Sequence, residues 1–245
     1  MPSLDLGNSV ITYEVIKSDR KTLGIKIDFD SGIIVRSPQK LSQNKIKEVL
    51  QDKSSWILEK LQKIDEIKSP PPPKKFLSGE RFPYLGRHYL LQVNSDSKLD
   101  QKEAEVKYYQ GKFIARVAPV VLENDNLRTE LLQEKFIQWY RRKADKKIKE
   151  RVHKYQSQLG VEPNNIKIKK QKKRWGSCSS KDNLNFNWKL ILAPMSILDY
   201  IVVHELAHLK FSNHPRDFWQ LVETIIPDYK KRQEWLRING RQLTI

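Results

Sequence analysis

Cysteine is nearly absent: 245 residues carry one, Cys178. An intramolecular disulfide is therefore excluded, and a reducing, cytoplasmic setting is the expectation. Long apolar runs are also missing. Nothing approaches the roughly 20 consecutive apolar residues of a membrane helix, so no membrane span is expected. The first 16 residues lack the basic-then-apolar layout of a signal peptide. Acidic residues are in deficit, with 29 Asp and Glu against 46 Lys and Arg and a net charge of +17. Such a field attracts polyanions, among them nucleic acid, acidic membrane surfaces and acidic proteins; a solvated lysine-rich surface is the plain alternative. Hydrophobic residues still make up 38% of the chain, enough for a real core, so a disordered polypeptide is excluded. No internal repeat is evident.

Three regions are expected. Residues 1–69 read as strand-rich with a helix. Val10 to Val15, Leu23 to Phe29 and Ile33 to Arg36 suit strands, with a turn at Asp30-Ser31-Gly32. Ser42 is a candidate cap for one helix with apolar positions Ile46, Val49, Leu50, Ile57, Leu58 and Leu61. Residues 70–122 open on Pro70 to Pro73, a stiff polyproline spacer or an SH3-type ligand, and continue as β-hairpins. Gln110-Gly111 marks one of the turns. Residues 123–245 read as the catalytic domain. A long helix is predicted over 126–159 from a stripe running Leu127, Leu131, Phe136, Tyr140, Ala144, Ile148, Val152, Tyr155 and Leu159, stopped by Gly160. Ile166 to Lys169 and Leu184 to Leu192 read as strands, and a helix follows from about Ser196.

Histidine is scarce as well, yet three of the five fall within eleven positions: His204, His208 and His214. In His204-Glu205-Leu206-Ala207-His208 the two imidazoles stand at i and i+4, on one helix face, where they can share a metal ion. Glu205 lies next to the first, within reach of a water on that ion. His214 cannot return to the metal on a continuous helix, because six steps rotate it by roughly 600°. Asn213 and Pro215 supply a break that lets its ring come back. Glu223 and Glu234 are rival third ligands. With Zn²⁺ held by three protein ligands, a water takes the fourth place and Glu205 serves as its general base, then carries the proton to the leaving amine. Tyr200 is a weak candidate for stabilising the oxyanion, and Asp217 for orienting a ligand. His88 and His153 read as surface or core histidines.

Arg174-Trp175-Gly176-Ser177-Cys178-Ser179, then Leu184-Asn185-Phe186-Asn187-Trp188, then the histidine motif with Phe218-Trp219 resemble the YgjP-like metallopeptidase family, related to SprT-type and crosslink-repair zinc proteases. The distinctive part spans about residues 165 to 240. The resemblance implies an α+β, zincin-like catalytic domain behind an N-terminal strand-rich region, zinc on His204, His208 and His214, and Glu205 as base. Phe211 stands where the longer metzincin pattern requires Gly, and no methionine follows the motif, so that class does not fit. In the RWGSCS segment Gly176 permits a bend, and the following strand suits an edge beside the cleft that aligns a peptide substrate. Cys178 reads as a buried structural residue, with a redox-sensitive thiol as the alternative. Two rival functions remain: a protease that finds protein substrates on nucleic acid through the basic faces, and a non-enzymatic binding module with structural zinc.

Overall fold

The computed structural model describes residues 1–5 and 10–245. Residues 6–9, inside the expected N-terminal region, lie outside the described residues. The chain is α+β and divides into two compact units, Met1–Lys68 and Ser69–Ile245.

The first unit holds β1 (Ser3–Asp5), β2 (Val10–Ser18), β3 (Gly24–Asp28), β4 (Gly32–Pro38), α1 (Gln43–Asp52) and α2 (Ser54–Asp65). Its sheet has the order β1-β2-β4-β3. Although β2 and β3 are consecutive, they do not pair: β2 runs parallel to β4, and β3 pairs antiparallel with β4 on the far side. Alternation puts Ile11 and Tyr13 of β2, and Ile33 and Val35 of β4, on one buried face. That face packs with Ile46, Leu50 and Ile57 from the helices. The single helix expected over this stretch is two. Ser42 caps the first, its side chain accepting from the Lys45 amide, and Lys53 leaves helical geometry at φ −98°, ψ 10°. The break turns the second helix so that Ile57 is buried while Leu58 is 37% exposed.

The second unit begins with a stretch without regular structure that includes Pro70–Pro73. Then come β5 (Arg81–Tyr84), β6 (Arg87–Ser95), β7 (Ala104–Tyr109) and β8 (Lys112–Val117), in the order β5-β6-β8-β7. The β7–β8 turn is Gln110-Gly111, both at positive φ (45° and 77°), the backbone a two-residue hairpin needs. The strand order and directions repeat those of the first unit, a repeat of topology that the residues do not display.

After α3 (Pro119–Glu123), α4 (Asp125–Leu159) runs for 35 residues. Asn124 caps its start, accepting from the Leu127 amide. Gly160, left-handed at φ 60°, ends it, with the Val161 amide bonded back to the Gln156 carbonyl. The buried stripe follows Leu132, Phe136, Trp139 and Tyr140 onward; Leu131, expected on it, is only partly covered. Phe82, Phe113 and Phe136 lock this helix to the sheet, Phe82 and Phe136 stacking at 4.5 Å between centroids. The Tyr140 hydroxyl donates to the Pro83 carbonyl at 2.7 Å.

The rest frames the site: β9 (Asn165–Lys169), β10 (Gly176–Cys178), β11 (Asn183–Asn187), α5 (Met195–Ala207), α6 (Arg216–Ile225) and α7 (Tyr229–Asn239). The three strands form a sheet ordered β10-β11-β9, with β10 at an edge. The strand expected to run to Leu192 stops at Asn187. There the Asn187 side chain accepts from the Lys189 amide and starts a 3-10 turn over Trp188–Leu192. The turn buries Leu190, Ile191 and Leu192 together, which strand alternation would not. No helix among the described residues is long and apolar enough to cross a membrane.

Candidate metal centre

Helix α5 is apolar on nearly every side and is buried accordingly, from Ile197 to Ala207 except at His204. Its one buried acid outside the motif, Asp199, is met by Arg151 of α4 in a two-pronged ion pair, Nε to Oδ1 at 2.6 Å and an Nη to Oδ2 at 2.9 Å. This fixes the helix that carries His204 and Glu205 and ends at His208.

The chain leaves α5 earlier than its sequence suggests. The helix ends at Ala207, His208 caps it, and tight turns return the Leu209 and Lys210 amides to Leu206 and Ala207. Asn213, half of the break read from the sequence, is not at positive φ. The Phe211 carbonyl instead lies 3.0 Å from His208 Nδ1. That contact engages Nδ1 and leaves Nε2 as the ring nitrogen that can serve as a ligand. Pro215 then caps α6, so His214 sits in the short connection between the two helices.

The consequence is a cluster. His204, His208 and His214 each present a ring nitrogen, and the three lie within 4.8 Å of one another. His204 Nε2 and His214 Nε2 are 3.3 Å apart. Neither Glu223 nor Glu234 belongs to the cluster; both are exposed, and Glu234 pairs with Arg237. Burial pushes His204 down to about 3, with His208 and His214 adding to it. His214 is lowered by desolvation and by His208. Lowered values favour the neutral ring at His204 and His214, and a neutral imidazole offers a lone pair to a cation.

Beneath them lies an aromatic floor. The Phe218 ring, fully buried, is 5.1, 4.8 and 4.7 Å from the centroids of His204, His208 and His214. Trp219 stacks on His214 at 5.5 Å and 22°, and Tyr229 stacks on Trp219 at 5.2 Å and 16°. Their pattern in the sequence places Phe218 and Trp219 in the core alone. Their position one turn beyond His214, on the helix Pro215 starts, is the signal that links them to the site.

Glu205, the residue after His204, lies against Gly176 of β10 and is 5% exposed. Burial pushes its carboxyl up to about 8, against the pull of Arg174 and of a hydrogen bond from the Cys178 amide. Cys178 is half-buried, and its thiol is pushed up to about 11 by burial, with Glu205 and Asp182 adding. It therefore stays protonated near neutrality, which argues against the reactive-thiol alternative. Tyr200 is buried with its ring edge-on to His204 at 5.9 Å. Its hydroxyl is raised to about 12 by burial, with Tyr229 and Glu205 adding. His88, His153 and Asp217 are exposed, Asp217 in the first turn of α6.

Two solved structures of metallopeptidase zymogens are similar over part of the chain. Abylysin of Pyrococcus abyssi is 23% identical, covering 38% of this chain and 93% of its own, with a TM-score of 0.34. Jannalysin of Methanocaldococcus jannaschii is 28% identical, covering 38% of this chain and 95% of its own, also with a TM-score of 0.34. No curated protein matches the chain. A family model described as "YgjP-like, metallopeptidase domain" matches residues 21–239, from just before β3 through the end of α7, and the chain belongs to the YgjP-like metallopeptidase family.

Proposed function

We propose that the chain is a zinc-dependent peptidase in which His204, His208 and His214 hold the metal and Glu205 is the general base. The observation that carries this is the convergence of three imidazoles, each offering a ring nitrogen, within 4.8 Å, with no carboxylate among them. A tetrahedral ion about 2.0–2.1 Å from two nitrogens keeps them about 3.3–3.4 Å apart. The His204–His214 separation of 3.3 Å suits that geometry. When bound, zinc supplies Lewis acidity toward a water and toward a peptide carbonyl.

The remaining chemistry belongs to the chain. Glu205 accepts a proton from the attacking water at its carboxylate and returns it to the departing amine. Its carboxyl, raised by burial, ionises more readily beside a cation. The three histidines cannot do this work while their lone pairs are engaged. Phe218 and the Trp219–Tyr229 stack pack against the rings and hold them in place.

A second reading concerns the substrate. Lys172, Lys173 and Arg174 are exposed immediately before β10, in a chain of net charge +17. This supports protein substrates presented on nucleic acid, and DNA affinity that falls steeply with added salt is the result expected of it. The primary test is Glu205→Gln. The variant is expected to keep one zinc per chain and the wild-type melting temperature, and to lose hydrolysis of a casein or peptide substrate toward the upper end of about 10²–10⁴-fold. Wild-type turnover in the variant removes Glu205 from the role.

A further inference from the structure

The Gly176-Ser177-Cys178 segment has no part in holding the metal, yet its backbone lies against Glu205. A Cβ added at Gly176 would lie 2.6 Å from both Glu205 Cγ and Oε1, and 2.7 Å from Cδ. Side chains do not tolerate such distances. Gly176 is not among the residues at positive φ, so its backbone conformation does not call for glycine. What calls for glycine is the carboxyl itself. Two residues on, the Cys178 amide donates a hydrogen bond to Glu205.

Neither partner is free to yield. Glu205 rises from a helix buried from Ile197 to Ala207 except at His204. Strand β10 is fixed from behind by Asn187, which is 4% exposed. The Asn187 amide donates to the Trp175 carbonyl at 2.8 Å, and its Nδ2 donates to the carbonyls of Gln171 at 2.9 Å and Arg174 at 3.4 Å. Trp175 packs against Gly240, where an added Cβ would meet its ring at 3.1 Å. Pairing of Gly176 with the fully buried Phe186 sets the register.

We propose that β10 is a mould for the general base: Gly176 leaves the volume that the Glu205 carboxyl occupies, and the Cys178 amide sets its orientation. Gly176 is then a positioning residue. The catalytic consequence rests on Glu205 being the base; the contact itself does not.

A double-mutant cycle of Gly176→Ala and Glu205→Ala, read by thermal and urea unfolding of the full chain, tests the contact without any substrate. Gly176→Ala alone is expected to lower Tm by about 5 °C or more, the size of an overpacking strain. In the Glu205→Ala background the added methyl enters vacated space, and most of that loss disappears. If Gly176→Ala alone does not fold, folding of the double variant supports the mould in the same way. Equal Tm losses in both backgrounds, no loss in either, or a double variant that fails to fold overturn the proposal. The kinetic arm uses a fluorogenic peptide cleaved by the wild type. Gly176→Ala is expected to retain its zinc and its KM while kcat falls at least 10-fold; raised KM with kcat intact assigns Gly176 to substrate binding and overturns the positioning role. A wild type that cleaves nothing defeats the functional reading, while the unfolding cycle still decides the mould.

Discussion

The two four-stranded sheets share one strand order and one set of directions, and they are filled by different chemistry. The first unit closes its sheet with aliphatic side chains: Ile11, Ile33, Val35, Ile46, Leu50 and Ile57, with Tyr13 the one ring among its buried residues. The second fills the equivalent place with rings, Phe82, Phe113, Phe136, Trp139 and Tyr140. The first sheet leads into two short helices and stops. The second leads into α4, whose 35 residues carry the packing on to α5 and the histidines. One topology thus serves as a self-contained module and as a foundation. The difference lies in what the last strand feeds, and the histidine cluster lies in the appended helical region rather than on the shared sheet.

If that contrast is right, core damage in the two units has different consequences. Phe82→Ala removes a ring stacked between sheet and α4 and is expected to cost about 3–5 kcal/mol, with zinc content falling as α4 and α5 loosen. Leu50→Ala is expected to cost about 2–5 kcal/mol in the first unit alone, leaving zinc content at one per chain. Urea unfolding with metal analysis on both variants checks this. Zinc loss in Leu50→Ala and none in Phe82→Ala reverses the assignment of foundation and module.

A smaller effect is expected at the aromatic stack. Trp219→Ala removes the ring that holds His214 and should weaken zinc binding about 10–100-fold, as loss of a supporting group around a ligand does. Trp219→Phe, which keeps a stacking face, should lose less. Competition with a fluorescent zinc chelator measures both, and unchanged affinity in Trp219→Ala denies the stack its role.

The smallest effect expected is a pH dependence of the metal-free protein. The folded Glu205 carboxyl stands at about 8 against an ordinary value of 4.5. A raised folded pKa means that its contribution to stability is complete below the unfolded value and is lost as pH rises through the folded one. His204 acts at the other end, lowered to about 3 from 6.5, and costs stability only as pH falls below 6.5. Between pH 6.5 and 8 Glu205 therefore acts without His204. Over that window metal-free wild type should lose up to about 1.5 kcal/mol relative to metal-free Glu205→Gln. Parallel curves for the two proteins contradict a Glu205 carboxyl raised by burial.

The histidine motif and the long helix are legible in the sequence because each depends on spacing along one element: i and i+4 for His204 and His208, a continuous stripe for α4. Gly160 stops that helix by a local rule, and Ser42 caps α1 by another. What stays hidden depends on partners distant in sequence. Nothing in residues 10–36 states that β2 pairs with β4 rather than β3, since alternation gives a strand's faces and not its neighbours. The Trp188–Leu192 turn reads as strand because a short apolar run has no period, and the cap at Asn187 decides it. The early end of α5 stays hidden because the visible breakers, Asn213 and Pro215, lie beyond it, whereas the tight turns after Ala207 and the Phe211 carbonyl's contact with His208 are not visible in the residues. Gly176 shows as a bend former, and only its distance to Glu205 gives it a reason.

The central claim is that three histidines, and no carboxylate, hold the zinc. A crystal structure of the zinc-loaded chain, with anomalous data at the zinc edge, tests it most directly. The account predicts one zinc bound by ring nitrogens of His204, His208 and His214 at about 2.0–2.1 Å, with Glu205 beside the open position and not coordinating. A Glu223 or Glu234 oxygen in the third place, with His214 turned to solvent, would contradict it.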